Sequence, residues 1–117
     1  MNFRFPKSEK LKSKKTIELL FKEGKSFSKF PIKVFYLPMV NFKKTQAGFA
    51  VPKRNFKNAV DRNRIKRQLR EAYRLQKHLL KSEEDSEFTL FFLYLGKDKL
   101  PYESIKIAME KILDKIN

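Results

Sequence analysis

The chain has 117 residues, of which 28 are Lys or Arg and 13 are Asp or Glu, leaving a formal net charge of +15. Such a length suits one domain with its own core, and compact folding of so basic a chain works against self-repulsion, so a polyanionic partner is expected. The absence of Cys excludes a disulfide framework, a thiolate zinc site and a Cys nucleophile. No run approaches the roughly 18 apolar residues that span a bilayer. The N-terminal stretch Met1-Asn2-Phe3-Arg4-Phe5-Pro6 lacks the apolar core of a secretory signal. A cytoplasmic protein without a membrane partner is the expectation.

The spacing of Ile17, Leu20 and Phe21 predicts a short amphipathic helix over Lys14 to Glu23, with Gly24 as its stop. Ile32 to Leu37 alternates as a strand does, placing Ile32, Val34 and Tyr36 on one face and Lys33, Phe35 and Leu37 on the other. A loop over Pro38 to Gln46 leads to a second strand, Ala47 to Val51, closed by Pro52, which cannot donate to a ladder. We expect these two strands to pair antiparallel. The second carries Phe49 and Val51 on one face and only Gly48 and Ala50 on the other, a floor for a shallow groove.

A long helix is predicted from after Asn55 to about Leu80, with Asn58 as N-cap and Asp61 completing a partial capping box. Ser82 to Glu87 reads as a solvated acidic loop, without the spacing of a Ca²⁺ site. Thr89 to Leu95 is apolar on both faces, as a strand inside a sheet is. Ile105, Met109, Ile112, Leu113 and Ile116 then follow helical spacing. The legible order is α-β-β-α-β-α. It predicts a single-domain α+β sandwich over 1–117, a sheet of about four strands packed with three helices.

Between Lys53 and Lys77 ten cations face two anions, a local excess of +8 in 25 residues. Around an ideal helix, Ile65, Leu69, Ala72, Tyr73, Gln76 and Leu80 form a packing stripe. Asn63, Arg64, Lys66, Arg67, Arg70 and Arg74 share the opposite arc. A basic arc of this kind is often a solvated face, but two features argue for binding here. Arg62 and Arg64 sit in the first turns, where cations oppose the helix dipole by a few tenths of a kcal/mol each. Arg also outnumbers Lys on this helix although Lys dominates elsewhere, and guanidinium forks suit phosphates and base stacking.

Phe49-Ala50-Val51-Pro52-Lys53-Arg54, then Asn58-Ala59-Val60-Asp61-Arg62-Asn63-Arg64-Ile65-Lys66-Arg67 and Arg70-Glu71, resembles the signature of the bacterial ribonuclease P protein family, with its Arg-Asn-Arg motif. The resemblance covers essentially the whole chain and is weaker after Lys81. It implies that Lys53, Arg54, Arg62, Asn63, Arg64, Lys66, Arg67 and Arg70 contact a catalytic RNA; Arg74 joins them from the helical wheel. It also implies a left-handed crossover around the long helix, against the usual rule, and a central cleft for the single-stranded 5′ leader of precursor tRNA.

By position, that cleft falls near Ile17, Phe21 and Phe35, with Lys33 beside Phe35 as a phosphate contact. Phe35 is either a stacking platform or part of a second apolar face packed on a helix. Ile17 departs from the aromatic residue common at its position, trading stacking for apolar contact.

No catalytic constellation is visible. His78 is the single histidine and is assigned no chemistry, and no metal site is expected in the protein. The resemblance implies an active site made by the RNA with Mg²⁺, aided by a protein without catalytic side chains; no obligate protein partner is expected. The main competing reading is a structural, ribosomal-type RNA-binding protein; a sequence-specific DNA-binding protein and an enzyme acting alone are the others.

Overall fold

The computed structural model describes residues 9–40, 45–80 and 86–116. Three helices, α1 (Lys14–Glu23), α2 (Ala59–Gln76) and α3 (Tyr102–Ile116), accompany four strands, β1 (Lys25–Lys29), β2 (Ile32–Val40), β3 (Gln46–Ala50) and β4 (Ser86–Tyr94). The strands form one sheet in the order β1-β2-β4-β3, antiparallel except for the parallel pair of β3 and β4. The α+β expectation therefore holds, with three α-helices and four strands among the described residues.

Two expectations need correction. The strands now called β2 and β3 do not pair; β4 lies between them, with Val34 opposite Phe92 on one side and Phe49 opposite Phe92 on the other. Pairing of sequence neighbours yields here because β4 is apolar on both faces and takes the central place. The chain-order reading also passed over β1. Lys25-Ser26-Phe27-Ser28-Lys29 has a single apolar residue, so an edge strand with both faces largely wet carries almost no alternation signal. It runs directly from α1, whose end Gly24 makes possible. The Gly24 N–H donates to Leu20 O at 2.8 Å, and a Cβ at Gly24 would stand 2.3 Å from that oxygen.

Alternation along the strands divides the sheet into two faces. Ile32, Val34, Leu90, Phe92 and Tyr94 point to one face and are fully buried there with Ile65, Leu69 and Tyr73 of α2 and Ile105, Met109, Ile112 and Leu113 of α3. Burying each such side chain is worth about 1.5–3 kcal/mol, and this cluster dominates the core. An aromatic trio fastens α2 to the sheet: Phe92 lies 5.5 Å from Phe49 and from Tyr73, and Phe49 lies 5.9 Å from Tyr73. α1 packs on the other face.

Local signals start and stop the long helix. Asn58 Oδ1 accepts from Val60 N–H at 2.9 Å, the expected cap. Asp61 turns from the cap toward Lys99, at 3.3 Å. Helix α2 ends at Gln76 rather than near Leu80, because a single 3₁₀ turn, Lys77–Leu79, follows. The buried Gln76 side chain donates to Ala72 O and Lys106 O, tying the end of α2 to α3. Glu9 and Lys77 form an ion pair at 2.9 Å, and Leu11 N–H donates to Ala47 O, so the chain before α1 is strapped along the outer edge of β3. The acidic stretch read as a loop lies outside the described residues up to Asp85. Beyond it, Glu87 belongs to β4 and accepts from the Thr45 hydroxyl at 2.6 Å.

Candidate nucleic-acid interface

Two surfaces carry the residues singled out by sequence. The first is the outer arc of α2. Ile65, Leu69, Ala72, Tyr73 and Gln76 are buried, so the packing stripe stands as predicted apart from Leu80, which lies beyond the helix and is half-buried. Burial of that stripe turns the other arc outward. Asn63, Arg64, Arg67 and Arg70 are exposed, Lys66 is half-exposed beside them, and Lys53 and Arg54 are exposed on the turn that leads in. Because α2 is anchored by its buried stripe, the cations sit on a rigid support, so ordering them on binding costs less than ordering a tail.

Two of the arginines are engaged within the fold. Arg62 directs its guanidinium inward: Nη1 donates to Phe56 O at 2.7 Å and to Lys57 O at 2.9 Å. Those carbonyls belong to the loop between β3 and α2, whose anchor Phe56 is buried against Tyr94, ring centroids 5.9 Å apart. Arg62 therefore clamps the loop bearing Lys53, Arg54 and Lys57 onto the start of α2, which offsets the cost of a cation at that helix end. Arg74 donates through Nε to Glu71 Oε2 at 3.1 Å and through Nη2 to Glu71 Oε1. The Arg74 hydrogen bond holds the Glu71 carboxyl below the usual carboxylate range. The helical wheel that places Arg74 and the motif that singles out Arg62 are both blind to these partners.

The second surface is the sheet face under α1. Phe21, 50% exposed, lies 4.9 Å from Phe35 and 5.3 Å from Phe91, edge to face in both cases. The Lys33 ammonium stands 5.0 Å from the Phe35 ring centroid, a cation–π contact. Ile17 lies one helical turn before Phe21 and is half-buried. The structure thus brings Phe21, Lys33 and Phe35 together and adds Phe91, which the apolar pattern of Thr89 to Leu95 does not single out.

Alternation with the buried Phe92 was the signal that could have found Phe91. Gly48, paired with Phe91 across the β3–β4 register, lies on this same face; a Cβ there would come within 3.2 Å of the Phe91 ring and 3.5 Å of Leu11. The small residue lets the aromatic ring and the strapped N-terminal segment settle close to the sheet. The result is a shallow trough with aromatic walls and a cation at its side, suited chemically to stacking unpaired bases with a phosphate nearby.

Among the described residues, no group of three or more His, Cys, Asp or Glu side chains converges to hold a metal, and no helix is long and apolar enough to cross a membrane. His78 is exposed on the 3₁₀ turn after α2.

Comparison with known proteins gives one result. A family model described as Ribonuclease P matches residues 5–117. The chain is 35% identical over 119 aligned positions to the ribonuclease P protein component of Porphyromonas gingivalis, covering 97% of this chain and 87% of the relative. It is 35% identical to the component from Dictyoglomus thermophilum, covering 97% and 92%. Among solved structures, the ribonuclease P protein of Thermotoga maritima superposes with a TM-score of 0.77 at 22% identity, covering 93% of this chain and 98% of the other, a likeness of fold.

Proposed function

The chain belongs to the ribonuclease P protein family, and from that premise we propose that it is the protein subunit of a ribonuclease P ribonucleoprotein that assists 5′ maturation of tRNA. In this reading the outer arc of α2 binds the catalytic RNA, and the trough under α1 receives the 5′ leader of precursor tRNA.

The observation that carries the proposal is the outward array of Asn63, Arg64, Lys66, Arg67 and Arg70 on a helix whose opposite stripe is buried. Phosphate contacts by such cations release counterions and supply affinity without reading sequence. Lys53 and Arg54 extend the array along the loop that Arg62 holds in place. Arg74, paired with Glu71, marks the end of this surface.

In the trough, Phe35 offers a ring for base stacking, worth roughly 1–3 kcal/mol per base. Phe21 buttresses that ring and also meets Phe91, Ile17 adds apolar contact at the rim, and Lys33 meets the leader phosphate. The cationic surface also screens repulsion between two polyanionic RNAs. The family places the protein within an endoribonuclease. We propose that cleavage itself is performed by the RNA, with Mg²⁺ held there, as membership of the family implies.

The test is cleavage of a precursor tRNA at low Mg²⁺ by a bacterial ribonuclease P RNA with and without this protein. Stimulation that requires both components is expected. Tight RNA binding without stimulation would instead favour a structural RNA-binding role.

A further inference from the structure

Beside the outer arc of α2 lies a notch that shares only Arg64 with the surfaces described above. Its volume is about 260 Å³, and it is lined by Arg64, Ile65 and Gln68 of α2 and by Lys99, Leu100 and Pro101 of the loop before α3. The volume is well above the ~30 Å³ of one water and below the ~300 Å³ at which sites for drug-sized ligands begin. It suits a single ring-bearing group.

Both walls are held in place. The loop wall folds back over Tyr94, whose hydroxyl donates to Asp98 O at 2.7 Å and accepts from Leu100 N–H at 3.3 Å. The turn that starts this loop is tight: a Cβ at Gly96 would fall 2.8 Å from the Tyr94 ring. The Lys99–Asp61 ion pair, at 3.3 Å, ties the loop to α2. The helix wall is anchored by Ile65, which is buried in the core.

The chemistry of the lining is graded. Ile65, Leu100 and Pro101 make an apolar floor and side. Arg64 and Lys99 put two cations at the rim, and Gln68 supplies an amide with both donor and acceptor. Among the described residues, the Arg64 and Gln68 side chains make no hydrogen bond or ion pair, so both are available to a ligand. An apolar floor, a cationic rim and one amide together match a nucleotide: phosphate at the rim, ring on the floor, base edge against the amide.

We propose that this notch takes one unpaired nucleotide of the catalytic RNA, its phosphate between Arg64 and Lys99 and its base edge on Gln68. The proposal rests on the reading of α2 as the RNA-facing helix. It assigns the nucleotide to the catalytic RNA rather than to the leader because the notch continues the α2 arc, whereas the aromatic trough lies on the opposite face of the sheet. Lys99, Leu100 and Gln68 thereby join the interface, which then spans α2 and the loop before α3.

The experiment is binding of the full chain and three variants to a bacterial ribonuclease P RNA across a range of salt, with thermal unfolding of each variant as the folding control. Gln68→Leu keeps bulk and helix propensity while removing the amide, and should weaken binding about tenfold with an unchanged salt slope. Lys99→Gln should flatten the salt slope by about 0.7–0.9, the share of one phosphate contact.

Arg67→Ala reports on the basic arc alone. Weakening by Arg67→Ala with neither notch variant affected would overturn the notch and leave the arc standing. No effect of any variant would remove both. An effect of Lys99→Gln without one of Gln68→Leu would leave a phosphate contact only and overturn the nucleotide assignment. A loss seen only when leader-bearing precursor is added would overturn the assignment to the catalytic RNA.

Discussion

The two faces of the sheet are built from the same strands by the same alternation, yet they end in different states. On one face Val34, Phe92 and Tyr94 are sealed beneath two helices of 18 and 15 residues. On the other, Phe35 and Phe91 stay half-exposed beneath one helix of 10 residues, and the roofing Phe21 is itself half in solvent. What separates a core from a trough here is the cover and not the strand: the rings are alike, and the length of helix laid over them decides which are spent on stability and which stay available for stacking. The covered face has a further consequence, because the helix that seals it presents its cations outward as a rigid array.

The comparison can be broken at several points. Phe92→Ala should cost about 3–5 kcal/mol through the cavity it leaves, read by denaturant unfolding; a loss under 1 kcal/mol would mean that the sealed face is not the structural one. Phe35→Ala should cost leader-bearing precursor about 1–3 kcal/mol of binding while mature tRNA is little affected. Equal loss for both, or loss of folding alone, would make the trough a second core.

Arg62→Ala should cost about 1 kcal/mol of stability, the usual net worth of a part-exposed hydrogen-bonded clamp, and amide exchange in the loop at 52–58 should quicken. An Arg62→Ala protein of unchanged stability would overturn the clamp and leave Arg62 with the RNA contact that the resemblance implies.

The smallest effect concerns pH. Burial first, and then the carboxylates of Glu9 and Glu87, push the Tyr73 phenol well above its ordinary value of 10.0. Its neutral form is favoured in the fold, so the stabilisation it contributes is fully present below about pH 10 and is lost as pH rises beyond that value. The thermal midpoint should therefore fall above pH 10, and Tyr73→Phe should reduce the slope of that fall. Burial raises Tyr94 and Tyr102 as well, which leaves part of the slope in the variant.

Some of this was legible in the chain because it rests on local periodicity. The stripe of Ile65, Leu69, Ala72, Tyr73 and Gln76 is set by 3.6 residues per turn, and it is buried as the wheel requires. Asn58 caps because a side-chain oxygen two residues before Val60 N–H needs no distant partner. The Lys33 and Phe35 pairing on one side of β2 follows from a period of two.

Other features were decided by contacts between segments far apart in the chain. β1 escaped notice because an edge strand flanked by water has little reason to alternate. The pairing of β2 with β3 was wrong because strand order depends on which strand is apolar on both faces, and Phe88 to Tyr94 lies almost forty residues beyond Ala50. The notch could not be read at all, since Gln68 and Lys99 meet only when α3 packs beside α2.

By itself, then, the sequence determined the helices, the charge of α2 and the arc that Arg64, Arg67 and Arg70 share, because each follows from spacing within one element; the family was legible as a resemblance, in a motif that runs from Phe49 to Glu71. Tertiary structure alone decided that Arg62 turns inward, that Phe91 joins Phe21 and Phe35, and that the loop before α3 walls a notch beside Arg64. In each case the partner is a carbonyl, ring or loop that helical or strand spacing does not specify, and only the packed chain brings it within hydrogen-bond or van der Waals reach.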